Sequence, residues 1–114
     1  MDDCIFCKMV KGEIPINKIY EDEYCLAFFD IKPMAKKHAL LIPKTHVKNL
    51  NELDQLSEAE RLGLLNGIAK AAEALDIKES GFRLASNCGE HACQSVMHLH
   101  FHILGGEQLS LNMV

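Results

Sequence analysis

His98-Leu99-His100-Phe101-His102-Ile103-Leu104 sets three of the chain's six histidines two residues apart, alternating with large apolar side chains. Strict alternation is the signature of a half-buried β-strand, with Leu99, Phe101 and Ile103 entering a core and the imidazoles sharing the opposite face. At a rise of about 3.3 Å per residue the outer two histidines stand about 13 Å apart, too far for all three to meet on one metal ion or one phosphorus atom. His100 therefore has a different task from at least one of its neighbours. Three uses of the row stay open on these residues alone: a metal half-site, a solvated polar face, or a set of catalytic imidazoles. The flanks favour chemistry. Asn87, Gln94 and Ser95 stand upstream and Gly105-Gly106 ends the run, and polar donors beside a nucleophilic strand are what an oxygen-rich, charged substrate requires.

Outward from this run, the spacing reads as short strands and one good helix. Lys18 to Tyr20, Tyr24 to Phe29 and His38 to Pro43 read as strands, with Pro33 breaking the link between the last two. Ser57-Glu58-Ala59-Glu60 has capping-box form, and Leu62, Leu65, Ile68 or Ala69, Ala72 and Leu75 follow at helical spacing as a core-facing stripe. Strands at Phe82 to Ser86 and Val96 to Leu104 complete the set. The expected fold class is α+β: an antiparallel sheet of about five strands, the first three arranged as a meander, covered on one side by the main helix, with a short N-terminal helix or turn. With 114 residues and no linker, repeat or low-complexity tract, the chain is expected to form one domain, residues 1–114.

Composition narrows the function classes. No run approaches the 18 or so apolar residues that span a bilayer, and the start Met1-Asp2-Asp3 lacks a signal-peptide pattern, so a cytoplasmic location without a membrane partner is expected. A net charge of −4 argues against a nucleic-acid polymer, which needs a basic surface, but leaves a mononucleotide compatible. Between Ile31 and Asn51 stand Lys32, Lys36, Lys37, Lys44 and Lys48 with no acidic residue; such a run is either a solvated surface or a mild steering field for phosphates. Five cysteines, an odd number, do not suggest a disulfide framework. Cys4-Ile5-Phe6-Cys7 has the spacing of half a tetrahedral zinc site or of a redox pair, the latter weakened by the lack of a preceding strand. Cys25, Cys88 and Cys93 read as small packing residues.

The segment Gln94-Ser95-Val96-Met97-His98-Leu99-His100-Phe101-His102-Ile103-Leu104-Gly105-Gly106 closely resembles the histidine-triad signature of the HIT family, in particular its Hint branch of nucleoside phosphoramidases. Leu26-Ala27-Phe28-Phe29-Asp30-Ile31 is similar to that family's ribose-binding strand, and His38-Ala39-Leu40-Leu41-Ile42-Pro43-Lys44-Thr45-His46 to its next strand and turn. The resemblance runs from Ile5 to about Gly106. Two departures stand out: Cys93 occupies a place where close relatives generally have glycine, and the tail Glu107 to Val114 lacks the tryptophan of some eukaryotic relatives.

What the resemblance implies is specific. His100 would attack the α-phosphate of a nucleoside 5′-phosphoramidate or related nucleotidyl conjugate, and water would then cleave the nucleotidyl-histidine. His102 would donate to a nonbridging phosphate oxygen, Ser95 would bind phosphate or help the leaving amine depart, and His38 would orient the triad, unless it is a satisfied strand histidine. Asp30 would hold the ribose hydroxyls, unless it only marks an exposed turn. Asn87 would lie nearer the phosphate with Gln94, and Ile5, Phe6, Phe29 and Ile31 would line a purine pocket, although core packing is the default for such residues. Zinc-binding members would add one structural zinc held by Cys4, Cys7, His46 and His98, and family members pair as homodimers. The competing functions are a nucleotide-binding regulatory module with little turnover, a dinucleoside polyphosphate hydrolase, and a metalloprotein using the histidine row as a catalytic metal site.

Overall fold

A computed structural model describes residues 3–112, leaving Met1, Asp2, Met113 and Val114 outside the described residues. The chain forms helix α1 (Ile5–Val10), strands β1 (Lys18–Glu21), β2 (Cys25–Phe29) and β3 (Lys37–Pro43), helix α2 (Glu58–Ala74), β4 (Phe82–Ala85) and β5 (Phe101–Gly105), with short 3-10 turns at Leu50–Gln55 and Glu90–Ala92. This is the expected α+β fold. All five strands are antiparallel neighbours, but in the order β1-β2-β3-β5-β4. The first three strands form the expected meander, and β5 slots between β3 and β4, which puts the histidine strand beside the centre of the sheet instead of at its edge.

Side-chain parity sorts the sheet into two cores. Odd-numbered residues of the central strands, Cys25, Ala27, Ala39, Leu41, Phe101 and Ile103, pack with Leu64, Ile68, Ala71, Ala72 and Leu75 of α2. Even-numbered residues Leu26, Phe28, Leu40 and Ile42 pack on the other face with Phe6 of α1. Both faces are thus covered, and β2 and β3 are buried almost continuously, where an antiparallel sheet with one wet face would alternate.

The capping box at the start of α2 is present, with Ser57 Oγ accepting from Glu60 N and Glu60 Oε1 accepting from Ser57 N. Its buried stripe differs from the expected one. Leu62 and Leu65 are 60% and 61% exposed, while Gly63, Leu64, Gly67, Ile68, Ala71 and Ala72 face the sheet. The reason is steric: a Cβ on Gly63 would overlap the Tyr24 ring and one on Gly67 would overlap Cys25 Sγ. The helix lies so close to β2 that only glycine fits at the points of contact.

The histidine strand is also shorter than its alternation suggests. Only Phe101–Gly105 is strand; the chain bends at residues 96–98 and reaches it through Leu99 and His100 without ladder pairing. Both neighbours run out there. The β3 pairing ends at Leu41 opposite Phe101 and β4 ends at Ala85 opposite His102, Pro43 has no N–H to offer, and the freed groups of residues 98–100 are taken up individually. Leu99 N donates to Val47 O at 2.8 Å, and Ser86 Oγ donates to His100 O at 2.8 Å.

Candidate active site and metal centre

The three histidines of the run are divided between different surroundings. His98 is fully buried and donates from Nε2 to the Pro43 carbonyl at 2.9 Å. That bond leaves its Nδ1 as a lone pair, which points at Cys4 Sγ (3.3 Å), Cys7 Sγ (3.5 Å) and His46 Nδ1 (3.0 Å), with Cys7 Sγ and His46 Nδ1 3.3 Å apart. All four donor atoms lie within 4.8 Å of one another. Tetrahedral zinc would set two nitrogens about 3.3 Å apart and a nitrogen and sulfur about 3.5 Å apart, given its usual bond lengths. The donor set fits zinc. Burial holds His98 down to about 4, against the Pro43 carbonyl, so its imidazole is neutral and able to ligate. Burial, with the Cys4 sulfur beside it, pushes the Cys7 thiol up to about 11; a metal cation there would reverse that preference.

His100 is buried and donates from Nδ1 to the carbonyl of His98 at 2.8 Å. Its Nε2 consequently carries the lone pair, the form a nucleophile needs. The Phe6 ring stands edge-on to both His98 and His100, with centroids 5.8 and 5.2 Å away, so α1 supports the two imidazoles from one side. The His102 ring lies on the same side of the strand, its centroid 5.3 Å from that of His100. Its Nδ1 is 2.9 Å from His38 Nε2, His38 Nε2 is 3.5 Å from Asp30 Oδ2, and His38 Nδ1 accepts from Met34 N at 2.9 Å. Burial lowers both His38 and His102, partly offset by the Asp30 carboxylate. Asp30, His38 and His102 have the composition of a second metal group. Their chemistry argues otherwise: with Nδ1 of His38 occupied as an acceptor, its neutral ring carries the proton on Nε2 and has no lone pair there for a metal.

Beside Asp30 opens a cavity of about 480 Å³ walled by Ile5, Phe6, Met9, Phe28, Phe29 and Ile31, among others. The structure thus gathers Asp30 and all four expected purine-pocket residues around one apolar hollow. Phe6 is buried, whereas Ile5, Phe29 and Ile31 are 43%, 40% and 93% exposed, more than core packing would leave. A second hollow of about 380 Å³ shares Ile5 with the first and is lined by Cys4, His46, Ser95, Val96 and Met97. A larger one, about 670 Å³, lies around Lys37, Arg83 and Glu107 and touches none of the histidines.

The remaining sequence candidates divide by their bonding. Ser95 and Asn87 are exposed. Gln94 is buried, and its amide is fully engaged: Oε1 accepts from Asn49 Nδ2 and Gly89 N, while Nε2 donates to the carbonyls of Lys48 and Val96. It ties the loop before the triad to the loop after β3. Sequence reading missed three participants: Met34 through its peptide N–H, Pro43 through its carbonyl and Val47 through its carbonyl. None left a local signal, because each acts through its backbone across a tertiary contact. Lys44, one of the five lysines of the basic run, pairs with Glu21 at 2.7 Å.

The HIT domain model matches residues 11–109, a span that holds the whole triad and leaves Cys4 and Cys7 just outside. An uncharacterized HIT-like protein of Helicobacter pylori is 45% identical over 104 residues, covering 91% of this chain and 97% of that protein. A 14 kDa zinc-binding protein of Zea mays is 43% identical over 111 residues, covering 93% and 84% respectively. Among solved structures, a HIT family hydrolase from Clostridium thermocellum superposes with a TM-score of 0.92 at 40% identity, covering 100% of this chain and 99% of its own. With its triad, its sheet and these relatives in agreement, the chain belongs to the HIT family.

Proposed function

We propose that this protein is a nucleotide hydrolase that binds a purine nucleotide in the 480 Å³ cavity and cleaves nucleoside 5′-phosphoramidates or related nucleotidyl conjugates at the α-phosphate. The observation that carries the reading is the tautomer of His100, whose Nδ1–H is spent on the His98 carbonyl so that Nε2 keeps its lone pair. His100 attacks phosphorus and expels the amine, and water then releases the nucleotide from the histidine, dividing one hard displacement into two. His102 donates to a nonbridging oxygen as charge shifts onto it. Ser95 serves the phosphate or the departing amine, Asn87 lies near the phosphate, and Asp30 accepts from the ribose hydroxyls. Gln94 acts by holding the loop that carries Ser95. Hydrolases among the structural neighbours, from Clostridium thermocellum and Legionella pneumophila, support this class of activity.

Cys4, Cys7, His46 and His98 would hold one zinc per chain. Four protein ligands leave no position for substrate, so the ion would supply folding stability and no chemistry. A homodimer belongs to the same reading: β4 is one of the two outer strands of the sheet, and Phe82 and Leu84 on it are 37% and 41% exposed, an apolar edge that a second copy would cover.

The test is incubation of the protein with adenosine 5′-phosphoramidate, following AMP release, beside His100→Ala. Wild type should release AMP, and the variant should lose several orders of magnitude in rate, about 4 kcal/mol or more in barrier, while still binding AMP. Comparable rates in the two proteins would sink the covalent route.

A further inference from the structure

We infer that the peptide N–H of Met34, acting through His38, fixes the proton of His102 on Nε2 and makes His102 a permanent hydrogen-bond donor to the substrate. This rests on the proposed reaction only for what His102 donates to; the proton position itself follows from the free protein. The chain of bonds has one consistent direction. Met34 N donates to His38 Nδ1 at 2.9 Å, so that nitrogen is unprotonated, and the proton of the neutral ring sits on Nε2. His38 Nε2 then has two acceptors in view, His102 Nδ1 at 2.9 Å and Asp30 Oδ2 at 3.5 Å. The nearer one takes the bond. His102 Nδ1 is thereby an acceptor, and its single proton must be on Nε2, the nitrogen turned away from His38.

Two consequences distinguish this arrangement from a histidine that merely packs. His38 cannot become a cation while the Met34 N–H faces its Nδ1, because a protonated Nδ1 would set two donors against each other. A proton passed from His102 to the substrate therefore cannot be replaced from His38, and His102 stays a donor in both steps without serving as the base that activates water. The second consequence concerns coupling. Met34 lies in the same loop as Ile31, which lines the nucleotide cavity, and as Asp30, whose Oδ1 accepts from Lys32 N at 2.8 Å. One loop thus carries both the wall that receives the nucleoside and the donor that sets the proton on the strand behind it. His38 and Met34 are positioning residues: neither needs to touch the substrate.

The test separates the two nitrogens of His38. Glutamine places a donor where Nε2 stands, and asparagine places an acceptor where Nδ1 stands without reaching His102. In ¹⁵N-labelled wild-type protein above neutral pH, long-range ¹H–¹⁵N correlation should show His102 protonated on Nε2. His38→Gln should keep that tautomer and keep turnover of adenosine 5′-phosphoramidate within about tenfold. His38→Asn should mix the His102 tautomers and lower kcat by about 100-fold, the usual scale for losing one preorganised donor, with KM little changed. A wild-type His102 protonated on Nδ1 would overturn the inference outright, as would equal kcat in the Gln and Asn variants. If wild-type protein does not hydrolyse the phosphoramidate, the proposed function falls, and the spectrum of the free protein still decides the proton position.

Discussion

Asp30 is placed where both roles that the sequence offers as alternatives are open to it. Its Oδ1 closes the turn by accepting from Lys32 N, the ordinary work of an aspartate before Lys-Pro, and its carboxylate also borders the cavity proposed for the nucleotide. Asp30→Ala alone would therefore confuse a loosened turn with a lost ligand contact, whereas removing the ribose 2′-hydroxyl leaves the protein untouched. We expect wild type to bind AMP roughly ten to one hundred times more tightly than 2′-deoxy-AMP, as one lost charge-assisted bond implies, and Asp30→Ala to lose most of that preference. Equal wild-type affinities by calorimetry would remove the ribose role. Cys93 poses a backbone question. It is exposed and left-handed at φ 62°, a conformation that costs a side-chain-bearing residue about 1–2 kcal/mol. Part of the gain from relieving it is lost to the greater freedom of an unfolded glycine, so Cys93→Gly should raise stability by about 0.5–1 kcal/mol in urea denaturation. A destabilised variant would show that the thiol makes contacts that outweigh the strain.

At the scale of elements, the contact of α2 with β2 depends on having no side chain at Gly63 and Gly67. An alanine normally stabilises a helix over glycine by about 1 kcal/mol. At Gly67 the sign should reverse, because the added methyl meets Cys25 Sγ within a core that cannot yield without shifting the helix. Gly67→Ala is expected to cost about 1–3 kcal/mol in chemical denaturation, and pairing it with Cys25→Ala should recover part of the loss. A simple stabilisation would mean that α2 stands farther from the sheet. The same close approach explains why Leu62 and Leu65 face outward: with Gly63 and Leu64 turned to the sheet, the residues one position before and one after that pair point to the surface.

For the whole molecule, the proposed metal site ties the N-terminus to the centre of the fold. Cys4 caps α1 by accepting from Cys7 N and reaches His98 across 94 residues, so a bound ion would hold α1, and with it Phe6, against the triad. Elemental analysis of reduced protein should find one zinc per chain. Its removal by a chelator should lower the thermal midpoint and free α1, seen as faster amide exchange over residues 5–10. Metal-free protein with unchanged stability would argue that the cluster holds no ion. Assembly is testable in the same samples. Light scattering at micromolar concentration should report twice 12.8 kDa, and a clean monomer would leave the exposed Phe82 and Leu84 without the proposed partner.

The features legible in the chain itself are those written in short periods. The two-residue alternation placed Leu99, Phe101 and Ile103 in a core, the Ser57–Glu60 box began α2 where it reads, and the Cys4–Cys7 spacing marked two members of the Cys/His cluster. Each depends on residues within one turn or one pleat, where backbone geometry alone decides who meets whom. Local periodicity did not reveal the stripe of α2, the late start of β5 or the partners of each histidine. His98 joins Cys4 and Cys7 through contacts spanning 94 and 91 residues, and His102 meets His38 across 64. Those meetings exist because β5 crosses over to lie beside β3, and a strand order is set by the competition of whole faces for burial, which no window of the sequence contains. The proton positions on the imidazoles belong to the same class: they are dictated by the carbonyl of Pro43, the carbonyl of His98 and the N–H of Met34, backbone groups that every sequence possesses and only the folded chain aims.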